Sequence, residues 1–341
     1  MTGNDCERRS VVSAPLPSSH VTEPWIPPTA SLVETAAGAA AGAWAAVTAP
    51  VLVRLVRRGL GPLGVSRDGQ LPPTDADDAV GGDGVGGDPG WFGPDSVTWG
   101  VHADSSMLVA GMTAFALQAL HPRAMAGVWD HSAFGGDFFG RTRRTGEFVQ
   151  GVVYEPSAAA EARCTGLRRI HDRVVGHTPD GRPYSAGDPD LLEWVHVTEY
   201  LAIASANRRF AAHPMTRAEL DVYVAEVARV GSAVGVVEPP RSWAELDAAF
   251  RRHAPELAVG EQAATAVRFL ENPPFLPAVA RPPWRAVWAG ALACLPPLGR
   301  TLLRTTEPPL PEVAACRALV RAVGRLLGEP LPLRMARRRL A

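Results

Sequence analysis

The sequence predicts an all-α protein. Apolar residues recur with helical spacing from Trp91 onward, segments of alternating polarity are scarce, and helix-start signals are frequent. Two of these signals are specific. Asp188 precedes Pro189 as an N-cap followed by proline, and Thr216 with Glu219 has the spacing of a capping box. Hydrophobic residues make up 46% of the chain, which is enough to bury a sizeable core.

The predicted helices follow one another with short, proline-rich joints. An N-terminal helix is expected over 31–60, and Pro122 ends or restarts the first core helix because proline cannot continue a helix interior. The later helices are expected at 105–120, 158–175, 189–207, from 216 onward, and at 242–252, 260–270, 284–295 and 311–327. Double prolines such as those at 239–240 and 282–283 separate these later helices.

Composition divides the chain into four parts. Residues 1–30 are rich in proline and serine, which predicts disorder, and 31–74 hold the N-terminal helix. A tract rich in glycine and aspartate over 75–90 predicts a flexible linker, because such residues bury little surface. Residues 91–341 are therefore expected to form the functional helical domain.

Charge and cysteine usage limit the function classes. The 34 basic and 35 acidic residues give a net charge of -1, which argues against a dedicated nucleic-acid binder. The four cysteines are Cys6, Cys164, Cys294 and Cys316, and none forms a closely spaced pair. This spacing excludes a zinc knuckle or a disulfide framework and favours a reducing, cytoplasmic location.

An uncharged stretch near the N-terminus approaches the length of a membrane span. Because its residues are mostly alanine and glycine, insertion into a bilayer would be weak. We therefore predict a helix that packs on the core, and membrane contact through 35–58 stays open as the less favoured alternative. The sequence does not define an oligomeric state.

His171 is the first candidate for chemistry. Leu167, Ile170, His171 and Val174 fall at i, i+3, i+4 and i+7, which predicts that His171 lies on a buried helix stripe. A buried imidazole needs a polar partner. A haem iron is one such partner, and a backbone carbonyl is the more ordinary one.

Several arginines accompany this histidine. Arg141 and Arg144 are three residues apart and would share a helix side, while Arg168 lies three residues before His171. Arginine pairs with carboxylates in bidentate geometry, so together these side chains are suited to the two haem propionates. Taken singly, each arginine is better explained by a solvated helix face.

Residues 93–237 resemble the bacterial rubber-oxygenase (latex clearing protein) family, which also includes the fungal MpaB-type oxygenases. The resemblance rests on GPDSVTW at 93–99, LQALHP at 117–122, GRTRRT at 140–145, RRIH at 168–171, GRPYSA at 181–186 and DPDLLEWVH at 188–196. The individual motifs are short, but their shared order and spacing make the match specific.

The resemblance implies a globin-like helical core that binds one b-type haem and carries out oxidative chemistry with dioxygen. It implies that His171 is the proximal iron ligand, that Arg168 belongs to the same motif, and that Arg141 and Thr145 form a second motif. Rubber-cleaving members have a lysine where this chain has Arg144. Because arginine stays protonated, it is a poor iron ligand, so distal lysine ligation is not expected here.

The resemblance does not identify the distal base or the substrate. Rubber cleavage uses a distal carboxylate as a base, and the nearest acids, Asp104, Asp130 and Asp137, match no motif of the family. Polyisoprene is therefore not implied, and the expected substrate is a small apolar molecule or a secondary metabolite. Arg144 and Thr145 are expected on the distal side, where they would stabilise iron-bound oxygen.

Two other functions stay open. Glu193 and His196 have the Glu-x-x-His spacing of di-iron carboxylate proteins, although a second copy is missing. His196 would otherwise border the haem pocket and support its ligands. The chain would alternatively be a haem-binding protein without enzymatic activity. His121 and His131 are interpreted as structural or pocket-lining residues.

Overall fold

The all-α prediction is confirmed. The computed structural model describes residues 23–59, 87–131 and 138–341, with the side chains of 56–59 and 138–139 left out of the description. The described part contains fifteen α-helices and one short antiparallel hairpin of two strands, β1 and β2.

The helices are numbered in chain order. The first seven are α1 Leu32–Ala40, α2 Gly42–Gly59, α3 Val97–Ala103, α4 Met107–Gln118, α5 Pro122–His131, α6 Phe138–Tyr154 and α7 Ser157–His171. The hairpin follows as β1 Val175–His177 and β2 Pro183–Ser185. The remaining helices are α8 Pro189–Phe210, α9 Arg217–Val234, α10 Trp243–Arg252, α11 Glu261–Glu271, α12 Arg281–Ala293, α13 Pro297–Leu303, α14 Leu310–Leu327 and α15 Leu331–Leu340.

The two N-cap motifs predicted from the sequence both cap helices in the structure. The Asp188 side chain accepts a hydrogen bond from the backbone of Asp190 at the start of α8. Thr216 and Glu219 form a complete capping box at the start of α9. Both motifs satisfy backbone N–H groups that the first helical turn leaves unpaired, which explains why these boundaries are readable from sequence.

The N-terminal region departs from its prediction in two ways. The single helix expected over 31–60 is a pair, α1 and α2, bent by 72° and packed against α14. Residues 23–30 also contact the core, because Trp243 donates to the carbonyl of Trp25 at 2.6 Å and Arg208 donates to that of Pro27 at 2.8 Å. Residues 1–22 and most of the predicted linker, 75–86, lie outside the described residues.

The helices in the described part of the chain can be compared with the length and apolar composition of a membrane span. Among the described helices, none is by itself long and apolar enough to cross a membrane, whereas the bent pair Leu32–Ala40 and Gly42–Leu55 meets the length and composition criteria together.

The core is built around α4 and α8, which pack along one another. Trp194, Leu201 and Phe210 on α8 are fully buried, and α12 and α14 close the core from the other side. Helices α6 and α7 form an antiparallel hairpin with a two-residue connection, and Arg163 of α7 packs over Gly151 of α6. This hairpin carries most of the residues that the sequence selected for function.

Candidate functional site

A large, mostly apolar cavity lies among α4, α6, α8, α14 and the start of α15. Its volume of about 1250 Å³ exceeds the roughly 300–1,000 Å³ of common small-molecule pockets. Its apolar walls include Met107, Leu108, Met112, Phe115, Val149, Ile203, Val320, Val323, Leu327 and Leu331. Such a space accommodates a bulky apolar molecule or a large planar group.

One face of α6 forms a wall of this cavity. Arg141, Thr142, Thr145, Gly146 and Val149 recur at helical spacing and all line it. The guanidinium of Arg141 lies 5.7 Å from the ring centre of Phe115. Burial, together with the nearby charge of Arg144, lowers the pKa of Arg141 to about 10. The structure therefore brings the predicted residues Arg141 and Thr145 together at one cavity wall.

Glu199 is a cavity residue that the sequence analysis missed. It lies in the middle of α8, lines the cavity and hydrogen-bonds with Gln118. Burial raises the pKa of Glu199 to about 7, so its carboxyl can hold or release a proton near neutral pH. The available signal was a lone acid in the apolar run from Val197 to Ala204.

His102 contributes a second polar group to the cavity. Its Nε2 lies 3.0 Å from the hydroxyl of Tyr223, and its Nδ1 is buried without a hydrogen-bond partner. Burial lowers the pKa of His102 to about 3, which keeps the ring neutral at physiological pH. Asp104, two residues further along the chain, also lines the cavity. His102 is therefore suited to hydrogen bonding inside the cavity rather than to carrying charge.

The other acids weighed in the sequence have different surroundings. Asp130 accepts a hydrogen bond from the Tyr184 hydroxyl at 2.6 Å, which ties α5 to β2. Asp137 lies outside the described residues. Of the two acids that the structure describes, Asp104 borders the cavity and Asp130 does not.

His171 is less buried than its spacing predicted. It is half-buried at the last residue of α7, and Ile170, expected on the same buried stripe, is 51% exposed. The buried residues of α7 are Ala160 and Cys164, so the buried face of this helix ends before its last turn, which carries His171. The Nδ1 of His171 is nevertheless buried without a hydrogen-bond partner, and burial lowers the pKa of the ring.

The two predicted motifs lie toward the ends of α6 and α7 that are remote from the connection between these helices. Arg141 lies 13 residues before the end of α6, and His171 lies 14 residues after the start of α7. At 1.5 Å per residue, both lie about 20 Å from the connection between the helices. The two motifs therefore lie at similar distances along α6 and α7 from that connection, and His171 is not among the described residues that line the cavity.

Arg144 and Arg168 are both exposed, and neither is among the described cavity-lining residues. The side chain of Arg168 lies beside Gly235, at the end of α9. Propionate binding by Arg168 and the distal role of Arg144 both stay predictions.

The side chain of His196 packs against α9. Its ring packs on Gly231 of α9 and lies 4.8 Å, centre to centre, from Tyr200. It is 5% exposed, its Nε2 has no hydrogen-bond partner, and burial lowers its pKa to about 4. This position is on the side of α8 that packs against α9 rather than on the described cavity wall.

The Glu193–His196 pair does not form a metal site in the described structure. Glu193 binds Arg252 at 2.8 Å and His253 at 3.0 Å, whereas His196 packs on Gly231. The two side chains therefore serve different contacts, and the di-iron interpretation of the sequence lacks its ligand set.

A large apolar cavity with a few polar groups on its walls is typical of a protein that binds a small apolar molecule. The chain matches the family model described as ER-bound oxygenase mpaB/B'/Rubber oxygenase, catalytic domain, over residues 99–325. This match covers more than half of the chain, and the protein belongs to this oxygenase family. No curated protein and no solved structure matches it.

Proposed function

We propose that this protein is a haem-b-dependent oxygenase that acts on a small apolar substrate. The observation that carries the proposal is the α6 wall, where Arg141 and Thr145 face a cavity of about 1250 Å³ in a chain of the oxygenase family. The volume and the apolar lining suit a bulky hydrophobic substrate, and the family supplies the reaction class.

The residues present fit a haem in their chemistry. His171 has a buried ring nitrogen without a partner, and imidazole is a common axial ligand of haem iron. Arg141 would bind a propionate, because a partly buried guanidinium pairs strongly with a carboxylate. Arg168 would hold the other propionate or orient His171. When bound, the haem would supply the activation of dioxygen.

The cavity residues would transfer a proton during the reaction and orient the substrate. The Thr145 hydroxyl, which lines the cavity, offers a hydrogen bond to an oxygen atom that gains negative charge. Glu199 can donate or accept a proton there, because its pKa of about 7 leaves both forms populated near neutral pH. The apolar walls would orient the substrate and exclude water.

We also propose a cytoplasmic location. Cys164, Cys294 and Cys316 are all free and buried, as expected of a protein that matures in a reducing compartment.

The test of the proposal is haem content. The full chain, expressed with iron and a haem precursor, should show one haem b per chain by pyridine haemochromogen spectroscopy. His171→Ala should lose at least nine tenths of the haem and keep its helical circular dichroism. His177→Ala is the matched control, because this exposed histidine lies on the neighbouring strand β1.

Two outcomes would contradict the proposal. Wild-type protein without haem would exclude the cofactor, and unchanged haem in His171→Ala would exclude the ligand. Haem-loaded protein that consumes no oxygen with apolar substrates of increasing size would instead support a carrier.

A further inference from the structure

A second group of metal-ligand side chains lies where the start of α5 meets the turn after α10. His121, His253 and Glu256 each offer a ligand atom, and these atoms lie within 4.8 Å of one another. The Nε2 of His121 is 3.5 Å from the Oε2 of Glu256. Within the described residues, this is the one group of three or more such side chains at that separation.

His121 is the unusual member of the group. It is 1% exposed, and both of its ring nitrogens lack a hydrogen-bond partner. A fully buried imidazole with neither nitrogen satisfied is rare in proteins, and an ion or a water molecule is the usual explanation. The potential ligand atoms within 4.8 Å of it belong to a second histidine and a carboxylate, which points to a cation.

The surroundings hold these side chains in place. The ring of Trp194 lies 6.0 Å from that of His121 and 5.3 Å from that of His253, centre to centre. The backbone N–H of Ala258 donates to the carbonyl of Leu120 at 2.9 Å, which joins the two chain segments that carry the ligands. The ligand set is therefore preorganised by packing and by a backbone hydrogen bond.

A second layer of charged groups orients the ligands. The Nε2 of His253 donates to Glu193 at 3.0 Å, which leaves Nδ1 of His253 available for a metal. A carboxylate behind a ligating histidine is a recurrent feature of metal sites. Arg123 donates to Glu256 at 3.0 Å and to Asp188 at 2.8 Å, so Asp188 balances the charge of that arginine.

We propose that His121, His253 and Glu256 bind one Zn²⁺ ion, with water as the fourth ligand. Two imidazoles and one carboxylate are a typical zinc ligand set, and bonds of about 2.0–2.2 Å place tetrahedral ligand atoms roughly 3.4 Å apart. The separation of 3.5 Å between His121 and Glu256 already matches this value. Glu256 is 40% exposed, so water can reach the open position.

This ion would lie apart from the large cavity. None of its three ligands is among the described residues that line the large cavity. The ion would join the start of α5 to the end of α10, two segments that are far apart in the sequence. The site is therefore independent of the haem proposal and of the oxidative reaction.

The test is a zinc titration of the full-length protein after treatment with a chelator. We expect one Zn²⁺ per chain by elemental analysis and a higher melting temperature after zinc is added. Glu256→Gln should weaken zinc binding at least tenfold in competition with a chromophoric chelator. Glu193→Gln should weaken it by 10- to 100-fold, because second-layer partners of metal ligands have effects of this size.

Glu147→Gln is the matched control. Glu147 is 37% exposed and forms one arginine ion pair at 3.0 Å, as Glu256 does with Arg123. Zinc affinity within twofold of wild type is expected for this variant. Glu256 is partly exposed, and Glu193 is paired with the polar side chains of Arg252 and His253. A change to glutamine at either position therefore leaves the buried packing of His121 intact.

Three results would overturn the proposal. They are a wild-type protein that retains no stoichiometric zinc, a Glu256→Gln variant with unchanged affinity, or an equal loss of affinity in Glu147→Gln. Preferential retention of Fe²⁺ from an equimolar mixture with Zn²⁺ would overturn the assignment of the metal.

Discussion

The end of the α6–α7 hairpin and the start of α5 offer two different environments for a metal-binding imidazole. His171 is half-buried at the last residue of its helix, and the arginines that accompany it lie within thirty residues along the chain. His121 is 1% exposed, and the side chains that face it come from residues 253–256, more than a hundred positions later. The first environment is visible as a sequence motif, and the second exists only in the folded chain.

This difference shows what each kind of observation can establish. Neighbouring motifs such as GRTRRT and RRIH lead to the family, because relatives share their order and spacing. They do not show how buried each side chain is, and Ile170 beside His171 is more than half exposed. A ligand set assembled from distant segments has no such motif, but its burial and its distances are explicit in the structure.

The largest expected effect separates the two environments directly. His171→Ala should lower the haem content at least tenfold and leave the zinc content unchanged. Glu256→Gln should lower the zinc content at least tenfold and leave the haem content unchanged, because the two sites share no residue. Haem and zinc measured on the same preparations of His171→Ala and Glu256→Gln provide the check. Loss of both groups in either variant would show that the two regions are one coupled unit.

The second effect concerns the proton on Glu199. Its pKa is raised from 4.5 to about 7 in the folded chain, so between these values only the unfolded chain releases the proton. The free energy of unfolding should therefore fall as the pH rises through this window, by up to about 3 kcal/mol, and stay constant above it. Water in the cavity would reduce this value.

Urea unfolding at pH 5 and pH 8 measures this effect. Glu199→Gln cannot ionise, so its stability relative to wild type should be greater at pH 8 than at pH 5. An identical difference at both values would mean that Glu199 titrates normally. His102 lines the same cavity and acts in the opposite direction, since its pKa of about 3 makes the folded chain less stable below pH 6.5.

The smallest effect compares two arginines on the same helix. Arg141 lies in the cavity wall and Arg144 does not, so Arg141→Met should weaken haem binding about tenfold and Arg144→Met by less than twofold. Titration of the chelator-treated, haem-free protein with hemin, followed in the Soret band, measures both. An equal loss in Arg144→Met would show that this side chain faces the cofactor, as the family motif implies.

The sequence predicted the starts of the main helices but missed the short hairpin and the break between α1 and α2. Asp188 and Thr216 mark helix starts because their side chains satisfy local N–H groups, which requires no distant partner. The hairpin of β1 and β2 was missed because strands of three residues are too short for an alternating pattern. The break between α1 and α2 was missed because the sequence there is uniformly apolar and small.

The candidate site was predictable only in part. Arg141 and Thr145 were selected from a motif, and both line the cavity. Glu199 was not selected, because its importance comes from the cavity beside α8 and from the burial that raises its pKa. Glu193 was selected for a metal site with His196, yet the structure pairs it with His253, a residue that the sequence places sixty positions away.

The sequence by itself determined the helical class, the main helix boundaries and the oxygenase family, because these depend on periodicity, local capping and the order of short motifs. The tertiary structure decided which polar side chains are enclosed together. Glu199 meets Gln118 across two packed helices, and His121 meets His253 and Glu256 across two distant segments. Burial and proximity of this kind arise from packing between helices, and no local pattern of residues encodes them.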